Sequence, residues 1–151
     1  WDSLTVKGDL VTQEGKVYGI DRAARLSGGD LATHSIPMAY GVDLVGAAIK
    51  QALNYKIDPA TVHPYKRAHV SQRYVFPDKA DIGRTVKSVP PFTDSGPALS
   101  AWRIGPGDVI TPVTAHPDRW GMAIATDVTG EKATERAREM VRQMKRGVVL
   151  E

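Results

Sequence analysis

The chain contains no cysteine, and this absence removes several kinds of chemistry at once. Without a thiol there is no disulfide, no thiolate nucleophile and no cysteine-ligated zinc site. The absence fits a protein of the reducing cytoplasm, which is the localisation we expect. Aromatic residues make up only 7% of the chain, and no basic cluster is interleaved with them. We therefore expect no nucleic-acid partner.

Long hydrophobic runs are also missing. No apolar stretch reaches the roughly 18 residues that a transmembrane helix requires, so we expect no membrane partner. The rest of the composition is ordinary for a globular chain, with 42% hydrophobic residues, 25% charged residues and a net charge of +3 over 151 residues. This length suffices for one domain, or for two small subdomains, with a hydrophobic core.

Two strand patterns near the start carry one aspartate each. Residues 4–13 and 16–21 alternate apolar and polar positions, and a Glu-Gly turn signal separates them. The pattern predicts a β-hairpin that holds Asp9 on its first strand and Asp21 on its second. Two neighbouring carboxylates repel unless a cation lies between them. Magnesium uses one or two carboxylates together with substrate phosphates. The hairpin therefore predicts part of a metal-phosphate site.

The pairing of the two acids depends on the loop. An even-numbered loop pairs Asp9 with Ile20 and puts the acids on opposite faces, so the metal hypothesis requires an odd loop or a β-bulge. The alternative is that Asp9 and Asp21 are solvated strand residues, and spacing alone favours neither. We expect the other, more apolar face of the hairpin to pack on a core. Its members are Leu4, Val6, Leu10, Tyr18 and Ile20.

Four segments together resemble the C-terminal half of an ATP-grasp domain. They are Asp9, residues 21–25 (Asp-Arg-Ala-Ala-Arg), residues 27–30 (Ser-Gly-Gly-Asp) and residues 41–45 (Gly-Val-Asp-Leu-Val). The superfamily includes carboxylate–amine ligases, biotin carboxylases, carbamoyl phosphate synthases and glycinamide ribonucleotide synthetases. The resemblance implies an α+β fold, in which an antiparallel sheet with packed helices (residues 1–77) precedes a small β-rich subdomain closed by an amphipathic helix (residues 78–151).

The resemblance also implies roles for particular residues. Asp9 and Asp21 would hold Mg²⁺ or Mn²⁺ against the phosphates of ATP, and Arg25 would be the catalytic residue that steadies an acyl phosphate. The residues expected on the phosphate or substrate side are Ser27, Gly28, Gly29, His34 and Arg119. For His34, a position in a loop without a catalytic role is the favoured alternative. For the neighbouring pair His116 and Asp118, an ion pair that fixes the loop is favoured over acid–base chemistry.

The motif departs from the usual ATP-grasp pattern at two informative positions. Ala23 replaces the asparagine that is usually a metal ligand, and Asp21 is one methylene shorter than the usual glutamate. The first hypothesis is therefore a part of an ATP-dependent ligase, which activates a carboxylate or bicarbonate for attack by an amine or ammonia. The second is a non-catalytic nucleotide-binding or structural relative. The third is an interaction domain in which Asp9 and Asp21 are surface residues without a role in binding.

The expected partners follow from the resemblance. They are a preceding ATP-binding lobe of the same chain and small carboxylate and amine substrates, because the chain begins almost at the hairpin and is expected to be an inactive fragment by itself. If the protein forms oligomers, we expect a homodimer.

Hydrophobic periodicity predicts helices over residues 41–54 and 129–146. We expect the apolar stripe of the first helix to pack on a core and Asp43 to complement the dipole at its N-terminus. Thr129 is the expected N-cap of the second helix. The hydrophobic pattern also predicts strands over residues 70–76, 85–89, 99–104, 108–113, 121–126 and 148–150.

Overall fold

The computed structural model describes residues 5–151 and shows two compact units that divide between Arg67 and Ala68. Leu4, where the first strand is predicted to begin, lies outside the described residues. All three sheets are antiparallel, and helices accompany them. The predicted α+β class is thereby confirmed.

The first unit is a β-hairpin followed by short helices. A π-helical turn over Leu31–Ser35 and a 3₁₀ turn over Pro59–Val62 flank the two α-helices. The named elements are β1 (Lys7–Gln13), β2 (Lys16–Ala23), α1 (Ile36–Tyr40) and α2 (Leu44–Ala52).

Helix α2 begins later than the predicted start at residue 41. Gly41 has φ 78° and terminates α1, and a Cβ there would lie 2.3 Å from the ring of Tyr65. Asp43 is the N-cap of α2, and its carboxylate accepts a hydrogen bond of 2.8 Å from the backbone N–H of Gly46. The predicted role of Asp43 at the helix N-terminus is therefore correct, since a capping carboxylate satisfies a free N–H and faces the positive end of the helix dipole.

The apolar stripe of this helix is not the core that its periodicity predicts. Ile49 of α2 is 56% exposed and Leu53, directly after the helix, is 64% exposed, whereas Val42, before the helix, is buried. Helix α2 packs mainly against the two short helical turns of its own unit, which are too small to cover the stripe. Periodicity identifies the helix correctly and does not say whether a covering element is present.

The second unit contains a three-stranded sheet, a two-stranded sheet and the longest helix. Strand β6 lies at the centre of the larger sheet, between β3 and β5, and β4 pairs with β7. The elements are β3 (His69–Val75), β4 (Val86–Ser88), β5 (Ala98–Trp102), β6 (Gly121–Asp127), α3 (Gly130–Gly147) and β7 (Val149–Leu150).

The core of the second unit lies between α3 and the larger sheet. Helix α3 packs on β3 and β6, and the hydroxyl of Thr129 caps it by accepting from the N–H of Lys132 at 3.2 Å. This cap and the amphipathic pattern agree with the prediction from sequence. The buried core residues of this unit include Val75, Val86, Ile110, Trp120, Ala123 and Met144.

Two expectations about the second unit need comment. Residues 108–113 do not form the predicted strand: Val109 makes only an isolated bridge to Thr85, and Pro112 has no N–H to extend a ladder. The compact units also divide before the boundary expected after residue 77, because β3 pairs with β6. The assignment of residues 1–77 to the ATP-grasp part remains a prediction.

No helix within residues 5–151 combines the length and the apolar character needed to cross a bilayer.

Candidate functional site

The hairpin places Asp9 and Asp21 directly opposite each other. Residues Glu14 and Gly15 form a two-residue turn, and both have positive φ angles, 51° and 74°. A turn of this length alone would pair Asp9 with Ile20. The register instead shifts after Asp9, so that Ile20 is an extra residue in a β-bulge and Asp21 becomes the partner of Asp9.

The bulge is the second of the two arrangements that the metal hypothesis required. An odd-numbered loop is absent from this hairpin, but the bulge has the same effect on the two acids. Because directly opposite residues in an antiparallel pair lie on the same face, both carboxylates project from one side of the hairpin. The sequence left the pairing open, and the structure fulfils the condition that the metal hypothesis set for it.

The expectation that the other face packs on a core is wrong. Leu10 is 62% exposed and Ile20 is 69% exposed, and Val6 is 56% exposed. The two-residue turn also places Tyr18 opposite Val11, on the side of the acids, so the apolar face differs from the one expected. Within residues 5–67, no element buries the strands of this hairpin.

Lys7 contacts both members of the acid pair. Its ammonium donates a hydrogen bond to Oδ2 of Asp9 and lies 3.9 Å from Oδ2 of Asp21. Strand alternation places Lys7 on the same face as Asp9, which is the signal in the sequence that could have identified it. It was not among the predicted site residues, because the metal hypothesis considered only groups that bind a cation.

The two carboxylates supply an incomplete metal site. Among residues 5–151, no group of three or more His, Cys, Asp and Glu side chains is placed to hold a metal ion. Two carboxylate ligands fit magnesium, which keeps several waters and takes further ligands from phosphates. They do not fit zinc or another metal that requires a full set of protein ligands. The donors present thus suit a magnesium ion that arrives with a phosphorylated ligand.

The glycine loop follows β2 and leads into the π-helical turn. Gly29 and Asp30 both have left-handed backbone conformations, with φ 63° and 66°, and the N–H of Leu31 donates to the carbonyl of Gly28 at 3.3 Å. Ser27 is half-buried and Gly28 is exposed. A cluster of small residues in such a loop can turn its N–H groups toward an anion. The role of Ser27, Gly28 and Gly29 in phosphate binding remains a prediction.

Arg25 and His34 flank this loop, and neither contacts the acid pair through an ion pair or a hydrogen bond in the described chain. The guanidinium of Arg25 is exposed and donates to the carbonyl of Leu26 at 3.1 Å. His34 lies in the π-helical turn, and its Nδ1 is 2.9 Å from the hydroxyl of Thr33. An exposed arginine beside a glycine loop is available to an oxyanion, but its catalytic role remains a prediction.

Arg119 belongs to the second unit and stacks on aromatic rings. Its Cζ is 3.9 Å from the ring centroid of Tyr74 and 6.0 Å from that of Phe76, which is cation–π geometry. This contact gives Arg119 a structural role. Its predicted role on the substrate side remains a prediction.

Asp118 fixes the loop that precedes β6. Its Oδ2 accepts three hydrogen bonds of 2.8 Å, from the N–H and hydroxyl of Thr114 and from the N–H of Ala115. The hydrogen bonds from Thr114, followed by that from Ala115, lower the pKa of the Asp118 carboxyl from its ordinary value. Asp118 therefore fixes the loop as expected, but the predicted ion pair is wrong, because hydrogen bonds from Thr114 and Ala115 hold the carboxylate.

The comparison with solved structures identifies the fold. The chain is similar to phosphoribosylglycinamide synthetase from Anaerococcus prevotii, with a TM-score of 0.69 and 12% sequence identity. The likeness covers 97% of this chain and 36% of that chain. This chain has the fold of part of an ATP-grasp enzyme. No family model matches the sequence, and no curated protein matches it.

The ATP-grasp likeness agrees with the resemblance found in residues 8–45. At 12% identity it establishes the fold and not the chemistry. The chain spans about a third of the length of the similar synthetase, since it covers 36% of it.

Proposed function

We propose that this chain is the C-terminal part of an ATP-dependent ligase that activates a carboxylate or bicarbonate as an acyl phosphate for attack by an amine or ammonia. The observation that carries the proposal is the Asp9–Asp21 pair, which a β-bulge brings to one face of a hairpin in a chain with an ATP-grasp fold. Like charges directly opposite each other destabilise a hairpin. Lys7 offsets only part of this negative charge, and a divalent cation held by both carboxylates would neutralise it.

Each predicted site residue has a separate role in the proposed reaction. Asp9 and Asp21 would hold Mg²⁺ or Mn²⁺, which would neutralise charge on the phosphates of ATP. Arg25 would present its planar fork to the acyl phosphate, and its exposed position leaves it accessible to substrate. The predicted contacts with phosphate or substrate come from Ser27, Gly28, Gly29, His34 and Arg119.

A preceding ATP-binding lobe of the same protein is part of this proposal. The similar synthetase is a longer protein, of which this chain covers 36%. The first unit exposes large apolar side chains on both the hairpin and helix α2, including Leu10, Ile20 and Ile49. Exposed apolar surface of this kind marks an interaction site. Small carboxylate and amine substrates, and ATP with Mg²⁺, would bind between such a lobe and the hairpin.

A second candidate is a nucleotide-binding or structural domain without catalysis. Ala23 replaces the asparagine of the motif, and it lies opposite Lys7 in the hairpin register. The acid pair therefore loses a usual metal ligand and gains a lysine whose ammonium contacts both carboxylates. These two features together favour a weakened metal site.

Turnover by the protein with its ATP-binding lobe separates the candidates. The protein is incubated with magnesium-ATP and a panel of carboxylates and bicarbonate, each with and without an amine, while ADP, AMP and phosphate are followed. A ligase produces ADP and phosphate only with its substrate, and Asp21→Asn abolishes that turnover. Release of AMP and pyrophosphate would contradict the acyl-phosphate chemistry and the role of Arg25.

A matched control variant is available in the same hairpin. Glu14→Asn removes one negative charge at the turn, away from the acid pair, and asparagine tolerates the positive φ angle there. We expect Glu14→Asn to retain full turnover. If Asp21→Asn loses magnesium-ATP binding in a protein that shows no turnover with any substrate, the non-catalytic candidate is correct. If Asp21→Asn changes neither binding nor turnover, the acids are surface residues.

A further inference from the structure

Lys7 is the most covered charged group of the hairpin face that carries the acids. Its side chain is 19% exposed, whereas those of Asp9 and Asp21 are 52% and 61% exposed. Its ammonium donates a hydrogen bond to Asp9 and lies 3.9 Å from the carboxylate of Asp21. One lysine thus offsets part of the negative charge of two carboxylates on neighbouring strands.

We propose that Lys7 is a built-in counter-ion of the acid pair, which a divalent cation must displace before it binds to Asp9 and Asp21. The inference rests on the proposed function, because it concerns the regulation of the same two carboxylates. It adds a residue that lowers the affinity of the pair for a free metal ion.

The Lys7 ammonium and a divalent metal ion cannot occupy the acid pair at the same time. Magnesium binds carboxylate oxygens at about 2.1 Å, so an ion held by Asp9 and Asp21 would lie within a few ångströms of the present ammonium position. Two positive charges at such a distance repel, and both need the same oxygen atoms. The ammonium of lysine is a strongly hydrated charge on a flexible stem, so it can leave the pair and return to water. Metal binding therefore includes the free-energy cost of breaking the Lys7 contacts.

The test is a titration of the 151-residue chain with free Mn²⁺ at low ionic strength, followed by calorimetry or by the electron paramagnetic resonance signal of unbound Mn²⁺. We expect Lys7→Gln to bind Mn²⁺ about fivefold more tightly than the wild type, which corresponds to about 1 kcal/mol. Lys7→Arg keeps the positive charge, and we expect it to bind as weakly as the wild type.

Lys16→Gln is the matched control. Lys16 pairs with Gln13 at the turn end of the same hairpin, so this variant removes an equal charge without removing a contact to the acids. We expect its Mn²⁺ affinity to match that of the wild type. In the double variant Lys7→Gln with Asp9→Asn, we expect the gain in Mn²⁺ affinity to disappear. The oxygen that the loss of Lys7 exposes at position 9 then belongs to an amide and not to a carboxylate.

Three results overturn the inference. They are an unchanged affinity in Lys7→Gln, an equal gain in Lys16→Gln, and a gain that survives Asp9→Asn. The proposed metal role fails separately. If Asp9→Asn and Asp21→Asn weaken Mn²⁺ binding while Lys7→Gln leaves it unchanged, the proposed metal site is supported and the counter-ion role of Lys7 is rejected. If neither acid variant changes the affinity, the acid pair does not bind free Mn²⁺ and the inference about Lys7 fails, whereas the proposed function is still decided by turnover with magnesium-ATP.

Discussion

Asp9 and Asp21 are direct cross-strand partners only because Ile20 is excluded from the register of the hairpin. The two-residue turn fixes the pairs nearest to it, from Gln13 with Lys16 to Leu10 with Gly19. Beyond that point the bulge moves the second strand by one residue and reverses which face Asp21 occupies. A local irregularity of the backbone therefore creates the charge pair on which the proposed function depends.

The first prediction concerns the stability of the hairpin without metal. Lys7→Gln leaves two facing carboxylates without their counter-ion, so we expect the local opening free energy of β1 and β2 to fall by about 0.5–1 kcal/mol. Amide hydrogen exchange of the strand residues measures this change.

Added salt and added Mn²⁺ show why Lys7→Gln lowers the stability of the hairpin. The cause is either repulsion between the two carboxylates or lost packing of the lysine stem. We expect the loss in Lys7→Gln to shrink at about 1 M salt, where screening acts over about 3 Å, and to shrink when Mn²⁺ is added. Lys16→Gln should leave the exchange rates near the acid pair unchanged. A loss that persists at high salt would mean that the aliphatic stem of Lys7, and not its charge, supports the hairpin.

The sequence predicts local elements of this chain better than the surfaces they cover. The cap at Thr129, the helix that follows it and the Asp43 cap all depend on nearby residues, and each is present in the structure. The stripe on α2 and the apolar face of the hairpin are exposed, because burial depends on elements distant in sequence. Helical periodicity carries no information about which partner is present.

The candidate site likewise combines features that the sequence predicts with features that it does not. The acid pair could be predicted only as one of two registers, because a two-residue turn alone pairs Asp9 with Ile20 and an added β-bulge pairs it with Asp21. The position of the bulge at Ile20 could not be predicted, because an extra residue in either strand would bring the two aspartates to the same face. The contact of Lys7 with both carboxylates depends on its side-chain rotamer, which alternation alone does not specify.

The second prediction concerns the turn of the hairpin. Glu14 has φ 51° and precedes Gly15 with φ 74°, an arrangement that favours Asn-Gly over Glu-Gly. We expect Glu14→Asn to raise the opening free energy of the hairpin by up to about 1 kcal/mol, because asparagine tolerates the left-handed region better than glutamate. Hydrogen exchange of the Gln13 and Lys16 amides measures the effect. Glu14→Val should have the opposite sign, and equal values for the two variants would contradict the assigned turn.

The third prediction concerns pH and Asp118. The pKa of this carboxyl is lowered in the folded chain by its hydrogen bonds from Thr114 and Ala115. The ionised group therefore stabilises the folded chain above its unfolded pKa of about 3.9, and this contribution disappears as the pH falls through the lower folded value. We expect Asp118→Asn to be less stable than the wild type at pH 7 and to approach it as the pH falls below about 4.

Urea denaturation of both proteins from pH 7 down into the acid range measures this convergence. Asp94→Asn is the control, since Asp94 is exposed in the loop before β5 and lies outside the Thr114–Asp118 hydrogen-bond cluster. Its difference from the wild type should stay the same over the whole pH range. A difference for Asp118→Asn that does not depend on pH would show that the shape of the side chain, and not its charge, holds the loop.

The fourth prediction uses two glycines that differ in the space around them. A Cβ at Gly121 would lie 2.5 Å from the carbonyl oxygen of Ala101, and this backbone atom cannot move without disturbing the β5–β6 pairing. At Gly130 the nearest atom to a Cβ would be Nδ1 of His69 at 3.6 Å, which is an ordinary contact. We expect Gly121→Ala to lower the free energy of unfolding by at least about 2 kcal/mol. Gly130→Ala should change it by less than about 0.5 kcal/mol or stabilise the first turn of α3. Equal effects in urea denaturation would mean that β5 does not approach β6 as closely at Gly121 as the structure shows.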